Sequence, residues 1–188
     1  MNSLPLTSKK TKTMKVINYI TAMIRKIYVR ILCLMGIAID ISSDGRYPGA
    51  LLSNFTPYKF TFRGIKFVSM ESLLQGLKFE GVETQNAVFQ RVGVKAKLRG
   101  KKRKWYLDQT LYWQDSPMKR NSAEYIGTVK EAFYALAENV DFQQTLLATG
   151  KKRLYHTMGK SDPTRTILTE KEFCDILTEI RNKLKDRL

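Results

Sequence analysis

Residues 16–39 form the longest apolar stretch of the chain, and three cations, Arg25, Lys26 and Arg30, sit inside it. This stretch constrains the fold first, because it decides between a membrane span and a domain with its own core. A charge at the centre of a span costs roughly 2.5–3.5 kcal/mol on insertion scales, and three of them argue against spanning. Val16, Ile20, Met23, Ile24, Ile27 and Ile31 recur at helical spacing, which predicts an amphipathic helix over 14–30. The unbroken apolar run 31–39 has the length of a buried strand. Packing of this segment on the protein's own core is expected ahead of attachment to a lipid surface. Membrane contact is therefore not expected. Residues 1–13 are polar and basic and read as a disordered tail.

The rest of the chain reads as one domain. At 188 residues there is no room for two full cores, and the 43% hydrophobic content is ordinary for a globular protein. Residues 42–58 carry the Gly, Pro, Ser and Asn signals of a long loop. Phe60–Phe62 and Ile65–Phe67 alternate around Arg63-Gly64 and predict a β-hairpin. Ser69 is placed to cap a helix over 70–80, and further helices are expected near 122–138 and 141–149, the last closed by Gly150. Thr169 and Glu172 form a capping box, with Leu168 and Phe173 as its hydrophobic staple. Phe173, Ile176, Leu177, Ile180 and Leu184 then make the buried stripe of a C-terminal helix. The expected fold class is α+β: a helix-rich single domain over 42–188 with a small β-sheet, preceded by a helix-strand extension over 14–41.

Composition narrows the partners. The net charge is +16, with 33 Lys and Arg against 17 Asp and Glu. Such an excess favours an anionic partner: nucleic acid, a phosphorylated small molecule or an anionic membrane. Lys95–Lys104 holds seven basic residues and no acid, so phosphate is their natural counter-ion. Lys95 and Lys97 open this run, and Trp105, which follows it, is either a stacking platform for a base or part of the core. Trp113 reads as core. Cys33 and Cys174 are too few and too far apart for a disulfide framework or a zinc site. No metal or cofactor is called for. Unpaired thiols and the lack of a cleavable signal point to the cytoplasm.

The helix expected over 70–80 carries the chemistry. At 100° per residue, Glu71, Gln75 and Lys78 fall within about 60° of one another, while Met70, Leu73, Leu74 and Leu77 occupy another arc. The stripe is either a solvated face or the lining of a cleft. In a cleft, Glu71 is a general acid or base, Gln75 an orienting amide, and Lys78 a nucleophile or phosphate ligand. His156 follows a strand-like segment and is either a satisfied structural residue or a site residue. Gly159-Lys160-Ser161 lacks the first glycine of a P-loop, since Leu154 stands there, so nucleotide hydrolysis by that route is excluded.

Read in order, Leu52-Ser-Asn-Phe55, Ser69-x-Glu71-x3-Gln75-x2-Lys78-Phe79, Lys104-Trp105, Leu146-Leu-Ala-Thr149 and Leu154-x-His156 resemble the NADAR (NAD and ADP-ribose) superfamily, the YbiA-like proteins. The resemblance covers residues 50–181. It implies a compact YbiA-like α+β fold and cleavage of N-glycosidic bonds. Some members resemble N-glycosidases of phosphorylated riboflavin-pathway intermediates; others remove ADP-ribose from guanine in DNA. The family's acid matches Glu71, and its Schiff-base lysine matches Lys78. By the same resemblance Asn54 and the loop before it bind sugar hydroxyls or diphosphate. Two departures stand out. Tyr155 precedes His156 where many members have an acid, and the late Asp…Trp-Gly element is replaced by Lys160-Ser-Asp-Pro163, leaving Asp162 as a substitute acid. These departures and the +16 charge favour an N-glycosidase on ADP-ribosylated guanine, in DNA or a nucleotide. The alternatives are the riboflavin-intermediate activity or a non-catalytic module that binds ADP-ribose or nucleic acid.

Overall fold

In the computed structural model, which describes residues 6–187, the element order is α1 (Leu6–Leu34), β1 (Ala38–Asp40), β2 (Phe60–Phe62), β3 (Ile65–Phe67), α2 (Met70–Gly76), α3 (Val82–Phe89), α4 (Gly93–Lys101), β4 (Thr110–Trp113), β5 (Ser116–Lys119), α5 (Ala123–Leu136), α6 (Val140–Leu147), β6 (Arg153–Tyr155) and α7 (Glu170–Lys185). The fold is α+β, as the sequence implies. Its strands form three separate pairs rather than one sheet. β1 and β6 pair in parallel, while β2–β3 and β4–β5 are antiparallel hairpins. In the β2–β3 turn both central residues, Arg63 and Gly64, have positive φ, the twist that a two-residue hairpin loop needs.

The core is aromatic-rich. Phe60 stacks on Phe67, Phe67 meets Phe89, and Trp113 closes against Phe62, so Trp113 is a core residue as expected. α7 starts with the expected capping box: Thr169 and Glu172 satisfy each other's backbone. Glu172 is used a second time. It takes a two-pronged ion pair from Arg120, whose Nε donates to the Thr166 carbonyl at 2.8 Å. Arg120 is 1% exposed, so β5, the 156–169 loop and α7 are tied by one buried guanidinium. No pattern in the chain marks this arginine's role in advance.

α2 is buried on every side. It packs on α3, α4, α5 and β3, and all seven of its residues are buried, polar ones included. Two glycines allow this close approach. A Cβ on Gly76 would lie 2.2 Å from the Phe89 ring, and one on Gly100 would lie 2.1 Å from Gln75 Oε1. α2 ends at Gly76, four residues earlier than expected, and Lys78 lies in the turn that follows, its N–H on the Gln75 carbonyl. The first part of the basic run, Lys95–Lys101, lies in α4, which is stacked on α2, and Lys102–Lys104 follow it.

The N-terminal segment departs furthest from expectation. The helix begins at Leu6, so the tail expected to be disordered over 1–13 is helical from that residue; residues 1–5 lie outside the described ones. It continues through Leu34, where a strand was expected, and β1 covers only 38–40. Its apolar face does not pack on the core. Val29 is buried against Ala38 and Tyr155, with Leu32 and Cys33 beside them, and Arg25 pairs with Glu170. Ile17, Ile20, Ile24, Ile27 and Ile31 are between 45% and 59% exposed, and Leu34 is 81% exposed. Among the described residues no helix is long and apolar enough to cross a membrane.

Candidate functional site

Three segments bring polar groups together along the polar face of α2. The first is the 42–58 loop, a true loop in the structure. The Asn54 carbonyl accepts the Glu71 N–H at 2.8 Å, and this fixes the first turn of the helix. Asn54 itself is half-buried.

The second is α2 with its following turn. Glu71 is only 6% exposed and Gln75 5%. Gln75 donates its amide N–H to Glu71 Oε1 at 2.9 Å, while its own Oε1 is buried without a hydrogen-bond partner against Gly100. Gln75 is therefore an amide held in one orientation toward the acid. Burial pushes the Glu71 carboxyl above the usual carboxylate range, opposed in turn by Lys97, the Gln75 amide, Lys78 and His156. Lys78 is half-buried, and burial lowers its ammonium from 10.5 to about 8; Glu71 opposes this, while Lys97 and Lys160 add to it. Each group thus sits in the other's field, and each is biased toward its uncharged form.

The third is the β6–α7 connection with α4 facing it. The His156 ring donates from Nδ1 to the Ile41 carbonyl at 2.7 Å and packs edge-on against Phe173. That bond makes Nε2 the acceptor of the neutral ring. Gly159 allows the backbone to pass the imidazole closely, since a Cβ there would lie 2.7 Å from His156 Cδ2. Lys160 is exposed, its carbonyl bonded to the Glu170 N–H. From α4, Lys97 lies over the Phe55 ring at 5.0 Å. Glu71, Gln75, Lys78, Lys97, His156 and Lys160 are thus linked by a hydrogen bond and by their mutual fields, and Glu170 adjoins the group, its carboxylate accepting the His156 N–H at 3.3 Å.

The remaining sequence candidates stand apart. Lys95 lines a groove of about 380 Å³ on α4 with Arg91, Leu98, Arg99 and Lys102. α4 thus turns Lys97 toward Glu71 and Lys95 into a different groove. Trp105 is 8% exposed and belongs to the core cluster, with Tyr106 against its edge, so it offers no stacking platform. Asp162 is exposed, and its carboxylate accepts the Thr164 N–H and hydroxyl at 2.9 and 2.7 Å. Those bonds hold its carboxyl below the usual range, opposite to what an acid catalyst needs. Asp162 shapes its turn, which does not fit the substitute-acid role expected for it. Sequence reasoning did not single out Gly100, and it met Gly159 only in the rejected P-loop and Phe55 only at the end of the Leu52–Phe55 motif; the structure shows all three shaping the site through close approach and ring contact.

Three comparisons bear on this arrangement. The family described as bacteriophage protein GP30.3 matches residues 46–182. An uncharacterized 17.1 kDa protein from the gp30–rIII intergenic region of enterobacteria phage T4 is 34% identical over 149 residues, covering 78% of this chain and 98% of its own length. The NMR structure of the Escherichia coli protein YbiA superimposes with a TM-score of 0.56 at 16% identity, over 81% of this chain and 87% of that one. At that identity the last match speaks for the fold.

Proposed function

The chain belongs to the family of bacteriophage protein GP30.3 and has a YbiA-like fold, and from these premises and the geometry above we propose that it is a NADAR-type N-glycosidase releasing ADP-ribose from modified guanine, in DNA or a nucleotide. One observation carries the reading: a buried acid from the first turn of α2 and a half-buried amine just past its last turn sit in each other's field, each biased toward its neutral form. A solvated helix face has no such bias.

The chemistry follows from those two states. ADP-ribose on an exocyclic amine is an N,O-acetal, so breaking the C1′–ring oxygen bond, with the N–H proton passing to that oxygen, yields an imine to the base. Lys78 Nζ, when uncharged, adds its lone pair to C1′. Glu71 delivers a proton to the base nitrogen, the C1′–N bond to guanine breaks, and an imine to Lys78 remains. Water adds to that carbon; loss of the lysine amine frees the sugar aldehyde, which closes again to ribose. A lysine at about 8 is roughly one-tenth uncharged at pH 7, against about one in three thousand for an ordinary one. Gln75 orients the acid, and Lys97 and Lys160 are placed to meet the diphosphate.

The test offers the full-length protein ADP-ribosylated DNA. Free ADP-ribose is the expected product, and borohydride added during turnover should leave a sugar adduct on Lys78. Turnover that is unaffected in Lys78→Ala defeats the covalent scheme. Ligand binding without any turnover in the wild type defeats the enzymatic reading altogether.

A further inference from the structure

α1 buries the wrong side of itself for a helix that serves only its own domain. At 100° per residue, Ile17, Ile20, Ile24, Ile27, Ile31 and Leu34 share an arc of about 100°, and the buried Val29 lies roughly opposite its centre. The docked face is held by Val29 and the Arg25–Glu170 pair, while the most apolar face looks away into solvent. The exposed strip runs from Ile17 to Leu34, about 25 Å at 1.5 Å per residue. Exposed apolar surface of this extent marks an interaction site.

The occupant is set by charge. The sequence of α1 holds seven Lys and Arg and no Asp or Glu. Arg30 flanks one edge of the strip with Tyr19, Tyr28 flanks the other, and all three are exposed. A second copy of α1 would bring cation against cation with no acid to pair them. Nucleic acid answers the charge but has no surface for a strip of isoleucines. An anionic lipid surface answers both: headgroups meet the cations, the upper acyl chains receive the strip, and the tyrosines sit at the boundary. The family match covers residues 46–182, so α1 lies outside the matched part of the chain.

We propose that α1 lies in the plane of an anionic membrane surface, apolar strip down, and tethers the domain there. The full chain should pellet with phosphatidylcholine vesicles that contain phosphatidylglycerol, less so as salt rises, and weakly with phosphatidylcholine alone. Ile20→Ser, Ile24→Ser and Ile27→Ser combined should weaken that binding on the order of a hundredfold, with an unchanged thermal transition because these side chains already face water. Arg30→Glu should weaken it about tenfold without touching the strip. Failure to pellet with anionic vesicles overturns the proposal, as does equal, salt-independent binding to both lipids. A dimer in sedimentation that the triple serine variant converts to monomer also overturns it, by giving the strip to a second copy.

Discussion

α1 and α2 invert each other. α2 buries Glu71 and Gln75 along with Leu73, Leu74 and Leu77, while α1 leaves a strip of isoleucines in water. Either arrangement works against folding on its own terms. A carboxyl removed from water costs several kcal/mol unless it is neutral or well paired, and an exposed isoleucine forgoes about 1.5–3 kcal/mol of burial. Residues kept where they cost stability are answering to something outside the fold. On the two proposals made above, that is for α2 a reacting molecule that needs a neutral acid and a neutral amine, and for α1 a surface that replaces water.

The largest expected effect breaks the α2 half. Lys78→Ala should lower ADP-ribose release by about a thousandfold or more, since no other amine takes over the covalent step. A loss below tenfold would leave α2 with buried polar groups and no chemical reason for them.

The next pair sharpens the contrast through stability alone. Leu74→Ala in α2 removes a side chain that is 2% exposed and should cost about 3 kcal/mol in denaturant unfolding. Ile24→Ala in α1 removes one that is 59% exposed and should cost less than about 0.5 kcal/mol. Equal costs would mean that α1 is covered in the free protein. After these comes Glu71→Gln, which keeps the shape and removes the proton. Release should fall about a hundredfold while binding of free ADP-ribose is retained, as calorimetry beside the rate assay would show.

Much of α2 could be read from the chain, and the reason is local. Ser69 caps its start, and the spacing of Met70, Leu73, Leu74 and Leu77 marks its core face. The capping box of α7 was legible on the same terms. What covers the polar face of α2 was not, because α4 arrives from twenty residues on and its helix is masked by cations and by Gly93 and Gly100. Gly100 is meaningful only once Gln75 is seen against it. Lys95 and Lys97 look alike in sequence and part company because a helix turns two residues by about 200°. α1 misled in the opposite way. Its periodicity was plain, but an apolar stripe says only that something covers it, and the domain's own core was the wrong covering.

The smallest expected effect tests whether the field inside the site is what tunes it. In the free enzyme, kcat/KM on an ADP-ribosylated mononucleotide should follow a bell with pH, because it needs Lys78 uncharged and Glu71 protonated together; one limb lies near the Lys78 value of about 8 and the other is set by the raised Glu71 carboxyl. Lys97 bears on both limbs with one sign. Its ammonium repels the charged form of Lys78 and attracts the charged form of Glu71, so it lowers both. Lys97→Met should therefore move the whole profile to higher pH, by about half a pH unit for charges partly screened by water. A lysine that merely gripped the diphosphate would raise KM and leave the profile where it is. Lys95→Met, one turn of thought away in sequence but facing another groove, should leave both limbs in place. If both variants shift the limbs alike, the cations of α4 act as a diffuse cloud, and α2 loses the specific electrostatic setting that separates it from an ordinary buried helix.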